Sequence, residues 1–290
     1  MKKHLIWAAA SAALLASCAK EETQTFTPAA TDLPQASITF VAEENADFTR
    51  AFFDNTTTTE AWEQSLSSLT VFCFEEGALV VRRNFTSAEL SSRRSTFALP
   101  RSTAGKSIEF YALANAAVDE NITTKTALLA LTEETPGSYN GTFANVSSKA
   151  LRSGGFLMSG TATKSIGAAG TTTEVAITLR RDVAKVAVQA SLSPAFADKY
   201  PGTVRITSVK LSRSAMQTPY FGGTPKTGAM TFTHTQTPGE TSGRFNALFY
   251  CFENAALASG SRVLLTLDGV YDRDGKTSTT SDQVPISYEV

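Results

Sequence analysis

The chain has few of the residues on which most catalytic and metal sites depend. Of its 290 residues, only two are histidine and three are cysteine. His4 lies in an N-terminal apolar segment, which leaves His234 as the one histidine in the rest of the sequence. A histidine-rich metal site is therefore excluded by number. We expect His234, in the polar run "TFTHTQTPG", to be a surface or loop residue.

Sequence motifs of phosphate binding and of nucleophilic catalysis are also missing. The sequence contains no G-x-S-x-G, no C-x-x-C, no P-loop and no G-x-G-x-x-G. Adjacent carboxylates occur at Glu75-Glu76 and Glu133-Glu134, but neighbours on a strand point to opposite faces of the sheet. We therefore interpret both pairs as solvated. Binding or assembly is favoured over catalysis, and the chain is not expected to be an enzyme.

Excess charge is lacking as well, because 26 basic residues balance 27 acidic ones. That balance argues against nucleic acid as a partner. Asp268, Asp272 and Asp274 in "LDGVYDRDGK" resemble half of a calcium loop, but no glutamate follows at the closing position. Asp-Gly is also a favoured hairpin turn, which is the interpretation we adopt. We expect no metal and no cofactor.

Three cysteines are too few for a disulfide scaffold, so stability must come from packing. Cys73 and Cys251 each lie inside an apolar, strand-like run. We expect both to be buried free thiols, and a disulfide between them stays open as the alternative.

The N-terminus has the layout of an export signal. Two lysines precede an apolar run from Leu5 to Leu15, and small residues precede Cys18. The apolar run is too short to span a bilayer, which takes about 20 residues. Leu15-Ala16-Ser17-Cys18 fits the bacterial lipobox. We therefore predict cleavage before Cys18 and attachment of lipid to that cysteine.

Long helical periodicity is scarce, whereas short runs of β-branched and aromatic residues recur between turn residues. In Glu174–Leu179, apolar and polar residues alternate. In the run 203–211, the apolar phase slips between Ile206 and Val209, which predicts a β-bulge. The best helix candidate is Thr124–Glu134, and Asn140-Gly141 is a hairpin signal. Together these patterns predict an all-β fold of β-sandwiches.

The length of the chain is sufficient for two domains. A polar, proline-containing stretch follows Cys18 and is typical of a tether. A second series of strands begins after Arg180-Arg181. The predicted division is a signal peptide (1–17), a lipidated tether with a removable N-terminal strand (18–50), an N-terminal sandwich (51–180) and a C-terminal sandwich (181–290).

Five short segments of the sequence are informative as a set, in the order in which they occur along the chain. They are the lipobox at Cys18, "FTRAFFD" (48–54), "GFLMSG" (155–160), "LRRDVAKVAV" (179–188) and "FYCFEN" (249–254). Each is weak alone. Together, over nearly the whole chain, they resemble the fimbrillin family of Bacteroidales, the type V pilus subunits of the major and minor fimbriae.

The resemblance implies two transthyretin-like Greek-key β-sandwich domains in tandem and a subunit that polymerises by strand exchange. "FTRAFFD" resembles the site at which an Arg-specific protease matures these pilins. Arg50 is therefore the expected scissile residue and Ala51 the new N-terminus. The cut would release the lipid anchor together with the strand near Ile38–Val41. Another subunit's strand could then fill the groove that is left.

The C-terminal residues are the candidate donor strand, with Val284, Ile286, Tyr288 and Val290 on one face. Chains of the family usually continue past the equivalent of "VPISYEV" into a further strand region. The alternative is therefore that the region that would donate a strand is lacking. Stalk, tip and anchor roles all stay open.

The expected function is thus a structural subunit of a cell-surface fimbrium that serves adhesion. Its expected partners are other fimbrial subunits, an Arg-specific protease and, through Cys18, lipid; no particular adhesion ligand is indicated. The expected location is first the outer membrane, as a lipoprotein precursor, and then the fimbrium. The alternative is an anchored surface lipoprotein, either a pilus anchor or a glycan-binding module. Trp62 is the one tryptophan outside the signal peptide, and its surroundings "EAWEQSL" predict a short helical packing turn; that count weighs against glycan binding.

Overall fold

The computed structural model describes residues 32–42, 60–134, 136–223, 230–235, 244–254, 258, 260–276, 278 and 280–290. In these ranges the chain consists mainly of strands. In chain order they are β1 (Gln35–Ala42), β2 (Leu69–Glu75), β3 (Ala78–Asn84), β4 (Arg94–Ala98), β5 (Ser107–Ala114), β6 (Thr132–Glu133), β7 (Met158–Ser165), β8 (Thr172–Arg181), β9 (Ala184–Ser191), β10 (Thr203–Ser214), β11 (Thr218–Pro219), β12 (Met230–Thr235), β13 (Arg244–Cys251), β14 (Leu264–Asp272) and β15 (Gln283–Glu289).

Helices are short and lie in the connections. The α-helices are α1 (Ser87–Ser92), α2 (Lys125–Leu129), α3 (Phe143–Val146) and α4 (Pro194–Lys199). Single 3₁₀ turns cover Ala61–Gln64, Arg101–Thr103 and Pro136–Tyr139. The first of these is the helical turn that was predicted around Trp62. Among the described residues, no helix is long and apolar enough to cross a membrane.

Seven strands form one sheet in the order β3-β2-β5-β7-β8-β1-β4. It folds into two layers at the β7–β8 step, where only Met158 and Ser159 pair with the end of β8. The crossing is tight, since a Cβ on Gly160 would lie 2.3 Å from the Thr178 carbonyl oxygen. Glycine is therefore the residue that permits the backbones to approach so closely. A single apolar core, with side chains from β1, β2, β4, β5 and β8, fills the space between the layers.

The alternation predicted for Glu174–Leu179 is confirmed in β8. Val175, Ile177 and Leu179 are fully buried in the core, and the residues between them are exposed. This is the pattern of a strand with one face on a core and the other in solvent.

The later strands form two further sheets, β12-β10-β14-β15 and β13-β9. A second core between them includes Val209, Leu211, Phe245 and Phe249. The register of β10 against β14 shifts between Ile206 and Ser208, which confirms the predicted bulge. The predicted class, an all-β fold, is therefore correct.

Two local predictions are wrong. The helix expected over Thr124–Glu134 ends at Leu129, because Thr132–Glu133 pairs with Thr218–Pro219 as β6 with β11. Asn140-Gly141 is not a hairpin turn. The Asn140 side-chain amide instead donates to the Tyr250 carbonyl oxygen (2.8 Å) and accepts from the Tyr250 N–H (2.9 Å).

His234 is also placed differently from the prediction. It is buried in β12, with Nε2 2.7 Å from the Leu248 carbonyl oxygen and its ring against Phe143 and Phe249. Burial lowers the pKa of His234, which favours the neutral imidazole. The polar sequence around it hid the alternation of β12, whose inward residues are Phe232 and His234.

Cys73 and Cys251 are buried free thiols, as predicted. Burial raises the pKa of the Cys251 thiol to about 11 and raises that of Cys73 as well, so both are protonated at neutral pH.

Candidate functional site

The first strand lies in the middle of a layer rather than at its edge. Strand β1 runs between β4 and β8, antiparallel to Arg94–Ala98 and parallel to Thr172–Leu179. Eight residues of β1 pair with β8 and five with β4. Parallel pairing requires a crossover, so no hairpin turn ties β1 to β8.

The inward face of β1 forms part of the first core. Ala36, Ile38, Phe40 and Ala42 are all buried, and the Phe40 ring packs edge-on against Phe85 with 5.6 Å between ring centroids. Fully burying a side chain such as Ile38 or Phe40 contributes about 1.5–3 kcal/mol. These side chains therefore make β1 an integral part of the core.

The outward face of β1 is crossed by an ion pair between its two neighbours. Arg94 on β4 donates from Nε (3.0 Å) and Nη2 (2.8 Å) to the Ser37 hydroxyl oxygen. The same Nη2 lies 2.9 Å from Glu174 Oε1 on β8. Ser37 is consequently 0% exposed, although its side chain lies on the outer face of the layer.

Three of the predicted site residues, Cys18, Arg50 and Ala51, lie outside the described residues. In the sequence, β1 lies between Cys18 and Arg50. The chain is described again from Glu60, ten residues after Arg50. The segment that begins there contacts β8, β9 and β13 through Glu63, and the residue that follows β5 through Ser65 and Ser67.

Glu63 fixes the start of this segment in a buried cluster that no sequence motif indicates. The Tyr250 hydroxyl donates to Glu63 Oε1 (2.5 Å), and the Lys185 ammonium lies 2.8 Å from the same oxygen. Arg181 Nη1 lies 3.4 Å from Glu63 Oε2. Burial of the ring and the neighbouring Glu63 carboxylate together raise the pKa of Tyr250.

We expect Glu63→Ala to lower the free energy of unfolding by about 3–5 kcal/mol, because it leaves two largely covered cations and the buried Tyr250 hydroxyl without their partner. Arg181 and Lys185 are only 14% and 24% exposed in their side chains. Glu174→Ala is the matched control, since its pair with Arg94 is largely exposed and should contribute less than about 1 kcal/mol. Urea unfolding of both variants measures the difference, and equal losses would contradict this account of Glu63.

A second buried cluster holds the same segment to the seven-stranded sheet. Asn115, at the end of β5, accepts from the Ser67 N–H (2.8 Å) and donates to the carbonyl oxygens of Ser65 (2.8 Å) and Phe156 (2.7 Å). Asn115 has a positive φ of 61°, which asparagine tolerates better than most residues. Its side chain therefore joins the segment after Glu60 to β5 and to Phe156.

Glu133 is not solvated, contrary to prediction. It is buried, and Arg152 donates to its Oε2 from Nε (3.1 Å) and Nη2 (2.8 Å). Arg152 Nη1 also donates to the Asn115 carbonyl oxygen (2.6 Å). The partner lies nineteen residues away in sequence, and only the folded chain brings the two together.

The candidate donor residues Val284, Ile286 and Tyr288 form part of β15, an edge strand paired with β14, and Val290 extends the pairing to Leu265. Val284 and Ile286 are half-buried, whereas Tyr288 is 58% and Val290 77% exposed. One edge of β15 is therefore occupied in the described residues, and two of the four candidate donor side chains are exposed.

The carboxylates of Asp272, Asp274 and Asp282 approach within 4.8 Å of one another in the loop between β14 and β15. Backbone N–H groups of the loop account for their positions. The Gly275 N–H donates to Asp272 (3.0 Å), the Asp274 N–H donates to Asp282 (3.0 Å) and the Lys276 N–H donates to Asp274 (2.8 Å). The connection joins the antiparallel strands β14 and β15, but it runs over residues 273–282, so Asp274-Gly275 is not the tight hairpin turn that was expected. Asp268 instead pairs with Lys210 (2.6 Å) on β10.

Comparison with known proteins gives a consistent result. The family model of fimbrillin-A associated anchor proteins Mfa1 and Mfa2 matches residues 34–284. The solved fimbrilin FimA of Porphyromonas gingivalis is 13% identical with a TM-score of 0.54, over 90% of this chain and 81% of that one. A fimbrial assembly protein of Parabacteroides distasonis is 12% identical with a TM-score of 0.50, over 88% and 85%. At these identities the two structures show the fold alone. No curated protein sequence matches significantly.

Proposed function

Because the chain belongs to the family of fimbrillin-A associated anchor proteins Mfa1 and Mfa2, we propose that it is a structural subunit of a cell-surface fimbrium that serves adhesion. Assembly begins when an Arg-specific protease cuts between Arg50 and Ala51. The cut separates β1 from the sandwich, and a strand of another subunit takes its place. No catalytic step by this chain is part of the proposal.

The observation that carries the proposal is the position of β1. It is buried on its inward face and paired on both edges, yet no hairpin turn ties it to β8. Its loss would open a gap of about 10 Å between β4 and β8, which is two strand spacings. Both strands would then carry unpaired backbone groups above an exposed apolar core, and a second strand would satisfy both.

The position of the cut relative to β1 supports the same sequence of events. Arg50 follows β1 by eight residues, so one cleavage frees the strand from everything downstream of it. Cys18 precedes β1 by seventeen residues, so the released piece carries any lipid attached there. In this proposal, the precursor waits at the outer membrane as a lipoprotein and enters the fimbrium after cleavage. Two domains, divided near Thr178–Asp182, would then pass together into the polymer.

A variant at the cut site tests the proposal. We expect Arg50→Gln to block processing and to abolish the ladder of strand-exchanged polymer on SDS gels of unboiled cell-surface material. N-terminal sequencing of wild-type polymer should begin at Ala51. Arg101→Gln, at an exposed position in a 3₁₀ turn, is the matched control and should leave the ladder unchanged. A wild-type ladder from Arg50→Gln, or a different N-terminus, would reject the proposed cut.

The family description favours one second candidate, a subunit that anchors the fimbrium. In that role the chain would keep Cys18, its lipid and β1, and would donate a strand without accepting one. The same sequencing separates the two roles. If the chain that is recovered with fimbriae begins at a blocked Cys18, it is the anchor. If it begins at Ala51, it is the polymerised subunit.

A further inference from the structure

The ion pair that crosses β1 is placed so that any strand in the groove must pass beneath it. Arg94 and Glu174 belong to β4 and β8, the two strands that remain if β1 leaves. Ser37 pairs directly with Glu174 on one side and with Thr96 on the other. Arg94 is opposite Thr39, the next outward position of β1, and its side chain reaches from there to the Ser37 hydroxyl. The residue at the Ser37 position therefore contacts Arg94 and lies directly opposite Glu174.

Space and charge at this position are both restricted. Ser37 is completely covered, although Arg94 and Glu174 are 54% and 62% exposed. An ion pair so exposed contributes little stability by itself. Its main effect is on the residue of the neighbouring strand that lies beneath it, which is Ser37 when β1 is in place. The Arg94 guanidinium lies 2.8–3.0 Å from the hydroxyl oxygen, so a larger side chain at this position would have to displace it.

We propose that Arg94 and Glu174 select the strand that fills the groove, by accepting a small residue with a hydroxyl oxygen at the Ser37 position. The proposal rests on the strand exchange proposed above and adds a rule for which strand, in which register, is accepted. A branched apolar residue would displace Arg94 from both of its partners. An acidic residue would lie against Glu174, and a basic one against Arg94.

The terminal strand of this chain offers one residue that meets the rule. When Val284, Ile286, Tyr288 and Val290 face the core, the outward residues of that strand are Pro285, Ser287 and Glu289. Ser287 alone among them is small and carries a hydroxyl. The rule therefore places Ser287 of a donating copy beneath the acceptor's Arg94.

Peptide capture by the processed full chain tests the rule. The wild-type chain and its Arg94→Ala variant are cut at Arg50 and mixed with a fluorescent peptide of residues 34–43, and capture is followed by anisotropy. We expect Ser37→Val in the peptide to weaken capture at least tenfold by the wild-type chain and less than threefold by Arg94→Ala. Val41→Thr is the matched control, since Val41 is outward and exposed, and it should change capture less than twofold.

A peptide of residues 283–290 extends the test to the terminal strand. Ser287→Val should weaken its capture by the wild-type chain by the same factor, and Arg94→Ala should again remove the difference. Failure of every peptide to be captured would overturn the proposed strand exchange. Capture of the wild-type peptides with an equal loss for Ser37→Val in both chains would overturn the selection by Arg94 and leave strand exchange standing.

Discussion

Phe40→Ala should lower the free energy of unfolding of the full-length chain by about 3–5 kcal/mol, yet the polymer that this variant forms should be as stable to heat as the wild-type polymer. Phe40 is buried in the first core and packs against Phe85. The cost of the cavity applies while β1 occupies the groove. If β1 is lost on processing, the altered residue is absent from the polymer. Urea unfolding of the precursor and thermal dissociation of the polymer measure the two quantities.

Phe97→Ala is the control for this experiment. Phe97 lies in the same core on β4, which stays in the subunit, so its replacement should weaken precursor and polymer alike. Phe40→Leu, which removes less volume, keeps the comparison possible if the alanine variant accumulates poorly. Polymer that is weakened by either Phe40 substitution would mean that β1 is retained in the fimbrium, which would contradict strand exchange at this groove.

The parts of the fold that follow from local pattern could be predicted from the sequence. β8 shows its buried face as alternation, and the bulge in β10 shows as a slip of phase between Ile206 and Val209. In both cases the information lies within about ten residues, because a strand repeats every two residues. The family motifs added the sandwich fold, which the solved fimbrilin structure shares.

The buried polar residues could not be predicted, because their partners are distant in sequence. Glu63 meets Arg181, Lys185 and Tyr250 across more than a hundred residues. Single charged residues are normally solvated, so the prediction for Glu133 followed the general rule and was wrong. Ser37 belongs to the same class, since it is buried by a side chain from the neighbouring strand rather than by the core.

These buried contacts have a consequence for a subunit that is cut at Arg50. The chain after the cut is fastened at Glu63 to β8, β9 and β13, and at Ser65 and Ser67 to Asn115, which directly follows β5. Loss of β1 would therefore leave the new N-terminal segment in place from about Glu60 onward. The groove would open without unravelling the strands that form its walls, which a subunit needs if it is to accept another strand.

The terminal strand gives the second large expected effect. Tyr288→Glu should leave the stability of the monomer within about 1 kcal/mol of the wild type, because the side chain is 58% exposed there. In a donated strand, the same residue would face the apolar core of another subunit. A buried carboxylate without a partner costs several kcal/mol, so polymerisation should be lost. Deletion of Val284–Val290 should have the same result.

Tyr200→Glu separates donation from a general effect of surface charge. Tyr200 is 53% exposed in the same half of the chain but lies outside the terminal strand, so this variant should polymerise normally. Tyr288→Glu is more informative than the deletion, because the deletion also exposes the edge of β14. A Tyr288→Glu chain that folds, is cut at Arg50 and still forms polymer of unchanged length would show that the terminal strand does not donate. In that outcome the chain would accept a strand from a neighbour without supplying one, and its place would be at one end of the fimbrium.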